Sequence, residues 1–354
     1  MIALRKTAPE FGLELVSLDP MQAPLPGQVL IDVAAAGICG SDLHAYEWTP
    51  GYEFMTASLP VTVGHEFSGV VRLVGDGVKD FAAGDRVVCW PTMNCGSCPA
   101  CLAGEPQNCS RRLIIGLHCD GGFADTVIVP ARNCRHVPDD LDLAIAALTE
   151  PLAVAVNAVD VADVQAGSRV VVLGPGPIGL GIAWAAAHRG AHVLIAGFGD
   201  ERRLSLARDM GIHHTTDLMD ETLERAVSHA FGQPADRVIE ATGIARSVSD
   251  GLAVLRPGGI FVVAGIHSQP LSLDLTRFVR EKKQLRGAHD TTERALGEAI
   301  RLLAQNSQAL SALITHRLPL SEGIEAFELA RSRQAVKVLL LPEGNGVNIR
   351  GETA

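Results

Sequence analysis

The segment Gly174-Pro175-Gly176-Pro177-Ile178-Gly179 constrains the fold more than any other stretch of the chain. It follows the apolar run Val170–Leu173 and opens a helical pattern. In such a spacing the first glycine allows the tight turn and the second lets a pyrophosphate approach the backbone. The third lets the helix pack closely on the strand. N–H groups at the start of the helix then face the phosphates. Gly174, Gly176, Pro177, Ile178 and Gly179 are therefore candidate cofactor-binding residues.

The flanking sequence continues the alternation of strand and helix. Strands are expected at Arg169–Leu173, His192–Ala196, Arg237–Glu240 and Ile260–Ala264. Helices are expected at Ile178–His188, Glu201–Met210 and Ala245–Leu255. This order predicts a parallel, doubly wound sheet. Residues 1–150 differ, with short runs such as Val29–Val33, Phe67–Val74, Arg86–Cys89 and Phe123–Val129 broken by turns, the pattern of antiparallel β structure. Beyond the alternating region, Thr292–Ala304 and Leu320–Ala330 read as amphipathic helices, Val336–Leu341 as a last strand and Glu343–Ala354 as a loose polar tail. A chain of 354 residues has ample length for two domains.

Cys95, Cys98, Cys101 and Cys109 pack four thiols into fifteen residues. Short Cys-x2-Cys turns supply soft ligands in pairs, and four of them leave no open position on a tetrahedral zinc. This set is expected to be structural. Cys89, Cys119 and Cys134 fall outside the spacing and read as small apolar residues.

A second set is open. Gly37-Ile38-Cys39-Gly40-Ser41-Asp42-Leu43-His44 gathers a thiol, a hydroxyl, a carboxylate and an imidazole in one turn. Gly64-His65-Glu66 and Glu150-Pro151 add an imidazole and two carboxylates. Three protein ligands with a free position are the pattern of a catalytic zinc. Each piece is weak alone, and the combination beside a four-cysteine cluster and a dinucleotide loop favours a metal.

A formal net charge of −10 without a basic run speaks against nucleic acid and anionic membranes as partners. The first residues lack the apolar core of a signal peptide, and Gly179–Ala187 is too short to span a bilayer, so a cytoplasmic protein is expected.

GICGSDLH, GHEFSGVV, the four-cysteine lobe, DGGFADTVIVP, TEPLAVAVNAV, VVVLGPGPIGL and ITHRLPLSEGIEAFELA, in that order, resemble the zinc-dependent medium-chain alcohol dehydrogenases. TEPLAV and CGSDLH are similar to the sorbitol, butanediol and threonine dehydrogenase branch. The resemblance implies a GroES-like catalytic domain (1–150, zinc lobe 90–112), an inserted Rossmann domain (151–288) and a return to the catalytic domain (289–354). The active site would lie in the cleft between them. It implies one catalytic and one structural zinc, NAD or NADP, a small polyol or secondary alcohol oxidised to the ketone, and a homodimer or homotetramer. Pairing would run through a Rossmann edge strand near Phe261–Ile266 or the following segment.

Residue by residue, the resemblance makes Cys39 and His65 zinc ligands. Glu66 and Glu150 would each be a ligand or stand one water away. Ser41 would hold the substrate hydroxyl, His44 would pass its proton on, and Asp42 would orient His65. Val154 would support the nicotinamide, and Ala264, Gly265 and Ile266 would meet its carboxamide.

The substrate is open at this stage. Tyr46, Trp48, Tyr52 and Phe54, with Trp90 and Pro91, line a pocket or form a packed surface loop. AYEW resembles threonine dehydrogenases, but Thr92 stands where those enzymes carry a histidine, so polyol leads and L-threonine is the alternative. A zincless quinone-reductase-like member and a non-catalytic zinc or cofactor sensor are further alternatives. Cofactor choice departs from the family pattern. The second strand, His192–Ala196, is followed by Gly197 and Phe198 with no carboxylate, while Asp200 and Glu201 come slightly later and Arg202 or Arg203 stands ready for a 2′-phosphate. Weak discrimination against NADP is expected.

Overall fold

A computed structural model describes residues 1–344, 346 and 347. Part of the expected tail, residues 345 and 348–354, lies outside the described residues. Contacts divide the chain into two units, Met1–Glu150 with the segment from Leu296 onward, and Pro151–Ala295. The second crossing falls inside the helix Glu293–Gln305.

The unit Pro151–Ala295 holds a six-stranded sheet. Its order is His214–Asp217, His192–Gly197, Arg169–Leu173, Ala235–Glu240, Leu255–Val263, Gln284–Gly287, and every neighbouring pair is parallel. Val170, Val171 and Val172 are fully buried, as a central strand covered on both faces must be, which explains its uninterrupted apolar run. The helix Pro177–His188 buries every residue from Gly179 to Ala186. His214–Asp217 and the following helix Leu223–Phe231 had no counterpart in the sequence reading, because an edge strand composed HTTD has no apolar signal. The strand carrying Phe261 is internal, and the edge on its side of the sheet is Gln284–Gly287, the following segment, with His214–Asp217 at the opposite edge.

In the other unit, a seven-stranded sheet runs Cys134–His136, Arg86–Cys89, Glu66–Val74, Gln28–Gly37, Lys337–Leu341, Ile314–Pro319, with Thr126–Pro130 also paired to Gln28–Gly37. Two of its neighbouring pairs place the site: Gly37 stands opposite Glu66, and Leu339 opposite Gly37. A separate two-stranded sheet, Thr92–Met93 with Leu113–Ile114, closes the base of the four-cysteine lobe. Among the described residues, no helix is long and apolar enough to cross a membrane.

Candidate active site

Cys39 caps the helix Gly40–Glu47, which is separated by two residues, Ile38 and Cys39, from the strand Gln28–Gly37. His65 immediately precedes the strand Glu66–Val74. Because Gly37 and Glu66 are partners across that ladder, both side-chain sets open at the same end of the sheet. The ligand atoms of Cys39, His65 and Glu66 fall within 4.8 Å of one another. Two glycines make this approach possible. A Cβ at Gly37 would run into the Glu66 carboxylate, and Gly64, at φ +96°, would drive one into the Phe123 ring.

Asp42 organises both lead ligands. One carboxylate oxygen accepts from the Cys39 backbone N–H at 2.9 Å, and the other lies 3.5 Å from His65 Nδ1. That leaves His65 Nε2 toward the cluster, 3.2 Å from Ser41 Oγ. Burial lowers the His65 pKa, but Asp42 and Cys39 outweigh it and raise the pKa well above the usual value. The surroundings therefore favour positive charge at this point, which a divalent cation provides. A thiolate, an imidazole and a carboxylate are also the donor types of open zinc sites. The site fits zinc.

Lys337 was not singled out in the sequence. It is 2 % exposed, donates to both Glu66 oxygens at 2.8 and 2.6 Å, and donates to the Ile38 carbonyl at 2.9 Å. Burial lowers its pKa, yet Glu66 and Cys39 raise it further, so it stays an ammonium. A lysine inside the apolar strand KVLLL was the available signal. Glu150, in the first turn of Thr149–Val161, is buried and acts on the same lysine, but its carboxylate lies outside the 4.8 Å group. His44 stacks on Tyr52 with centroids 5.4 Å apart and places Nδ1 3.0 Å from Thr49 Oγ1. Tyr52 itself is raised in pKa by burial and by the Cys39 and Asp42 charges, which places its phenol beside the cluster.

The second group is Cys95, Cys98, Cys101 and Cys109. Their sulfurs stand 3.5 Å (Cys98–Cys101), 3.8 Å (Cys98–Cys109) and 3.6 Å (Cys95–Cys109) apart. Those distances far exceed a disulfide bond and match the edge, about 3.8 Å, of a tetrahedron with 2.3 Å zinc–sulfur bonds. Backbone N–H groups of Ser97 and Cys98 bring the Cys95 pKa down to about 5, giving a thiolate ready for metal.

In the other unit the backbone geometry of the glycine loop fits the three expectations. Gly174 sits at φ +99°, a Cβ on Gly176 would meet open space, and one on Gly179 would run into the Gly174 carbonyl. The free space at Gly176, at the N-terminus of Pro177–His188, is the cradle a pyrophosphate requires. Val154 is half-buried on the helix Thr149–Val161. Ala264 and Gly265 donate to the Glu240 carbonyl, and Ile266 is exposed. The fully buried Glu240 carboxylate also ties the loops 241–244 and 264–267 together, accepting from Gly243 N–H at 2.8 Å and bonding His267 Nε2 at 2.9 Å. After the second strand, Asp217 accepts from the Gly199 and Asp200 N–H groups at 2.9 and 3.1 Å, and Asp200 lies 3.7 Å from Arg203. Arg202 is exposed.

Residues 25–139 match the alcohol dehydrogenase GroES-like domain, and residues 177–305 match the zinc-binding dehydrogenase domain. The chain is 36% identical over 346 residues to a sorbitol dehydrogenase of Halalkalibacterium halodurans, covering 97% of this chain and 99% of the relative. It is 37% identical over 352 residues to an L-threonine 3-dehydrogenase of Bacillus subtilis, at the same coverages. Its fold is similar, at a TM-score of 0.86 and 30% identity, to an NADP-bound structure from Sinorhizobium meliloti assigned as a zinc-binding dehydrogenase, covering 96% of this chain and 99% of the other. The chain belongs to the zinc-dependent medium-chain alcohol dehydrogenase family, with a GroES-like domain and a Rossmann domain. It is an oxidoreductase of CH–OH donors that uses zinc and NAD(P).

Proposed function

We propose that the enzyme oxidises a small polyol or secondary alcohol to the ketone. The Cys39, His65 and Glu66 cluster, with Ser41 beside it, carries this reading. When bound, zinc supplies a Lewis acid for the alcohol oxygen and the nicotinamide supplies the hydride acceptor. The chain's own residues handle orientation and the proton. Asp42 fixes the His65 ring and the Cys39 backbone, so both donors are held before substrate arrives. Ser41 Oγ takes the proton of the substrate hydroxyl, and the imidazole of His44, one helical turn on, is the next group able to carry it. Tyr52 stacks against the His44 ring and limits its orientation.

The test is a scan of polyols, butanediols and L-threonine with NAD and with NADP, with metal analysis of the same preparation. Turnover of a polyol with two zinc ions per chain supports the reading. His65→Ala must abolish turnover, and Ser41→Ala is expected to lower kcat by roughly 100-fold. Preference for L-threonine would select the second reading, which the similarity to L-threonine 3-dehydrogenases supports. Zinc and cofactor binding without turnover of any alcohol would make the protein a sensor.

We further propose a cytoplasmic homo-oligomer. Eight free cysteines suit a reducing compartment. The free sheet edge Gln284–Gly287 carries exposed Leu285, and Leu275 and Val279 nearby in sequence are exposed as well, which suits pairing with a second copy. Light scattering that gives a monomer at micromolar concentration would refute it.

A further inference from the structure

A row of rings leads away from the metal cluster. Tyr52, beside Cys39 and Asp42, lies 5.6 Å from Phe54 between centroids, and Phe54 stacks on His118 at 4.9 Å and 24°. The row ends in a polar group whose proton is assigned by its neighbour. The Ile114 backbone N–H donates to His118 Nδ1 at 3.1 Å, so Nδ1 is the acceptor and the proton sits on Nε2. Burial, aided by the charge of Arg112, lowers the His118 pKa and keeps the ring neutral. His118 is therefore a fixed neutral donor at the far end of an aromatic wall that starts at the reacting centre. Phe54 is 44% exposed, so the wall has an open face.

We propose that His118 is a specificity-determining residue that binds a distal hydroxyl of a polyhydroxylated chain. The C–H face of the carbon chain lies along Tyr52 and Phe54, and His118 Nε2–H donates to a hydroxyl beyond the carbon that reacts. A short secondary alcohol does not reach this donor. Discrimination by chain length then comes from a half-buried donor held in a fixed orientation, which favours a hydroxyl-bearing chain over an apolar or truncated one. This inference rests on the polyol reading above.

The experiment compares kcat/KM for a six-carbon polyol with that for 2-propanol, in the zinc-loaded parent and in two variants. His118→Phe keeps the stack on Phe54 and removes the donor, while His118→Gln keeps a donor of similar reach. The polyol-to-propanol ratio is expected to fall about tenfold in His118→Phe, chiefly through KM for the polyol, and to recover in part in His118→Gln. His118→Asn, which retains an acceptor for the Ile114 N–H but lacks the reach, guards against a local folding defect and is expected to fall as the phenylalanine variant does. A ratio unchanged in both the Phe and Asn variants, in a parent that turns over polyols, overturns the role of His118 alone. A parent that oxidises 2-propanol and no polyol overturns the polyol reading itself.

Discussion

Lys337 Nζ lies between both carboxylate oxygens of Glu66 and the carbonyl of Ile38, with neither side chain reaching solvent. The ammonium neutralises a carboxylate that otherwise would be buried beside a thiolate. Lys337→Met is expected to destabilise the protein by about 3–5 kcal/mol, the cost of leaving one partner of a buried pair uncompensated. Adding Glu66→Gln removes the orphaned charge, so the double variant should be more stable than Lys337→Met alone. Urea denaturation of the metal-free proteins measures this, and additive losses would show that the two residues act independently.

Cys98→Ser removes one corner of the sulfur tetrahedron in a lobe anchored by a ladder of two residue pairs. The expected result is one zinc fewer per chain and a Tm lower by roughly 5–10 °C, as a loss of a few kcal/mol produces. Activity should disappear in step with folded protein on heating. An inactive variant with the melting curve of the parent would mean that the lobe takes part in the chemistry.

Cofactor choice is expected to be loose, with a preference for NAD under roughly a thousandfold, about 4 kcal/mol. Installing a carboxylate at Gly197 is a poor test, since a Cβ there meets Asp200 Cβ at 2.9 Å and the Pro175 ring at 3.0 Å. Asp200 is the better position. Its carboxylate sits close to Arg203, and the neighbouring N–H groups are already taken by Asp217. Asp200→Asn removes a negative charge and releases the arginine, so the ratio of efficiencies should move toward NADP by about tenfold, 1.4 kcal/mol. An unchanged ratio removes Asp200 from selectivity.

Asp236 sets an acid limit for the Rossmann unit. Arg169 grips it with Nε and Nη2, both at 2.8 Å, and Arg256 adds Nε at 2.6 Å, which together hold its carboxyl far below the usual 3.8. The folded pKa is depressed, so the contribution is complete above about pH 4 and is lost as pH falls toward the folded value. Asp236→Asn should cost about 2 kcal/mol at neutral pH, and the gap to the parent should narrow below pH 4. A gap that stays constant with pH would show that the pair contributes through packing.

The glycine loop, the sulfur cluster and the Cys39–His65 pair were legible because each is a local spacing with one dominant chemical use. The strand Arg169–Leu173 was read to its last residue, since continuous burial leaves a continuous apolar run. His214–Asp217 was not legible, because an edge strand obeys its neighbour more than its own composition. Lys337 and His118 were missed for a different reason. Their significance lies in partners at Glu66 and at Ile114 and Phe54, and only the folded sheet brings Lys337 to Glu66 across 271 residues. Glu240 likewise reads as an ordinary strand end until its contacts with Gly243 and His267 are seen.

The strand Lys337–Leu341 has a consequence for the order in which the molecule is assembled. On the ribosome, Cys39, His65 and Glu66 emerge long before their counter-charge does. Throughout synthesis of the whole Rossmann unit, the carboxylate of Glu66 has no ammonium to share its burial. The metal centre thus draws on both halves of a domain that the inserted unit splits in time as well as in sequence. A nascent chain stalled before residue 337 would carry every named zinc ligand and still lack the cation that lets one of them stay buried.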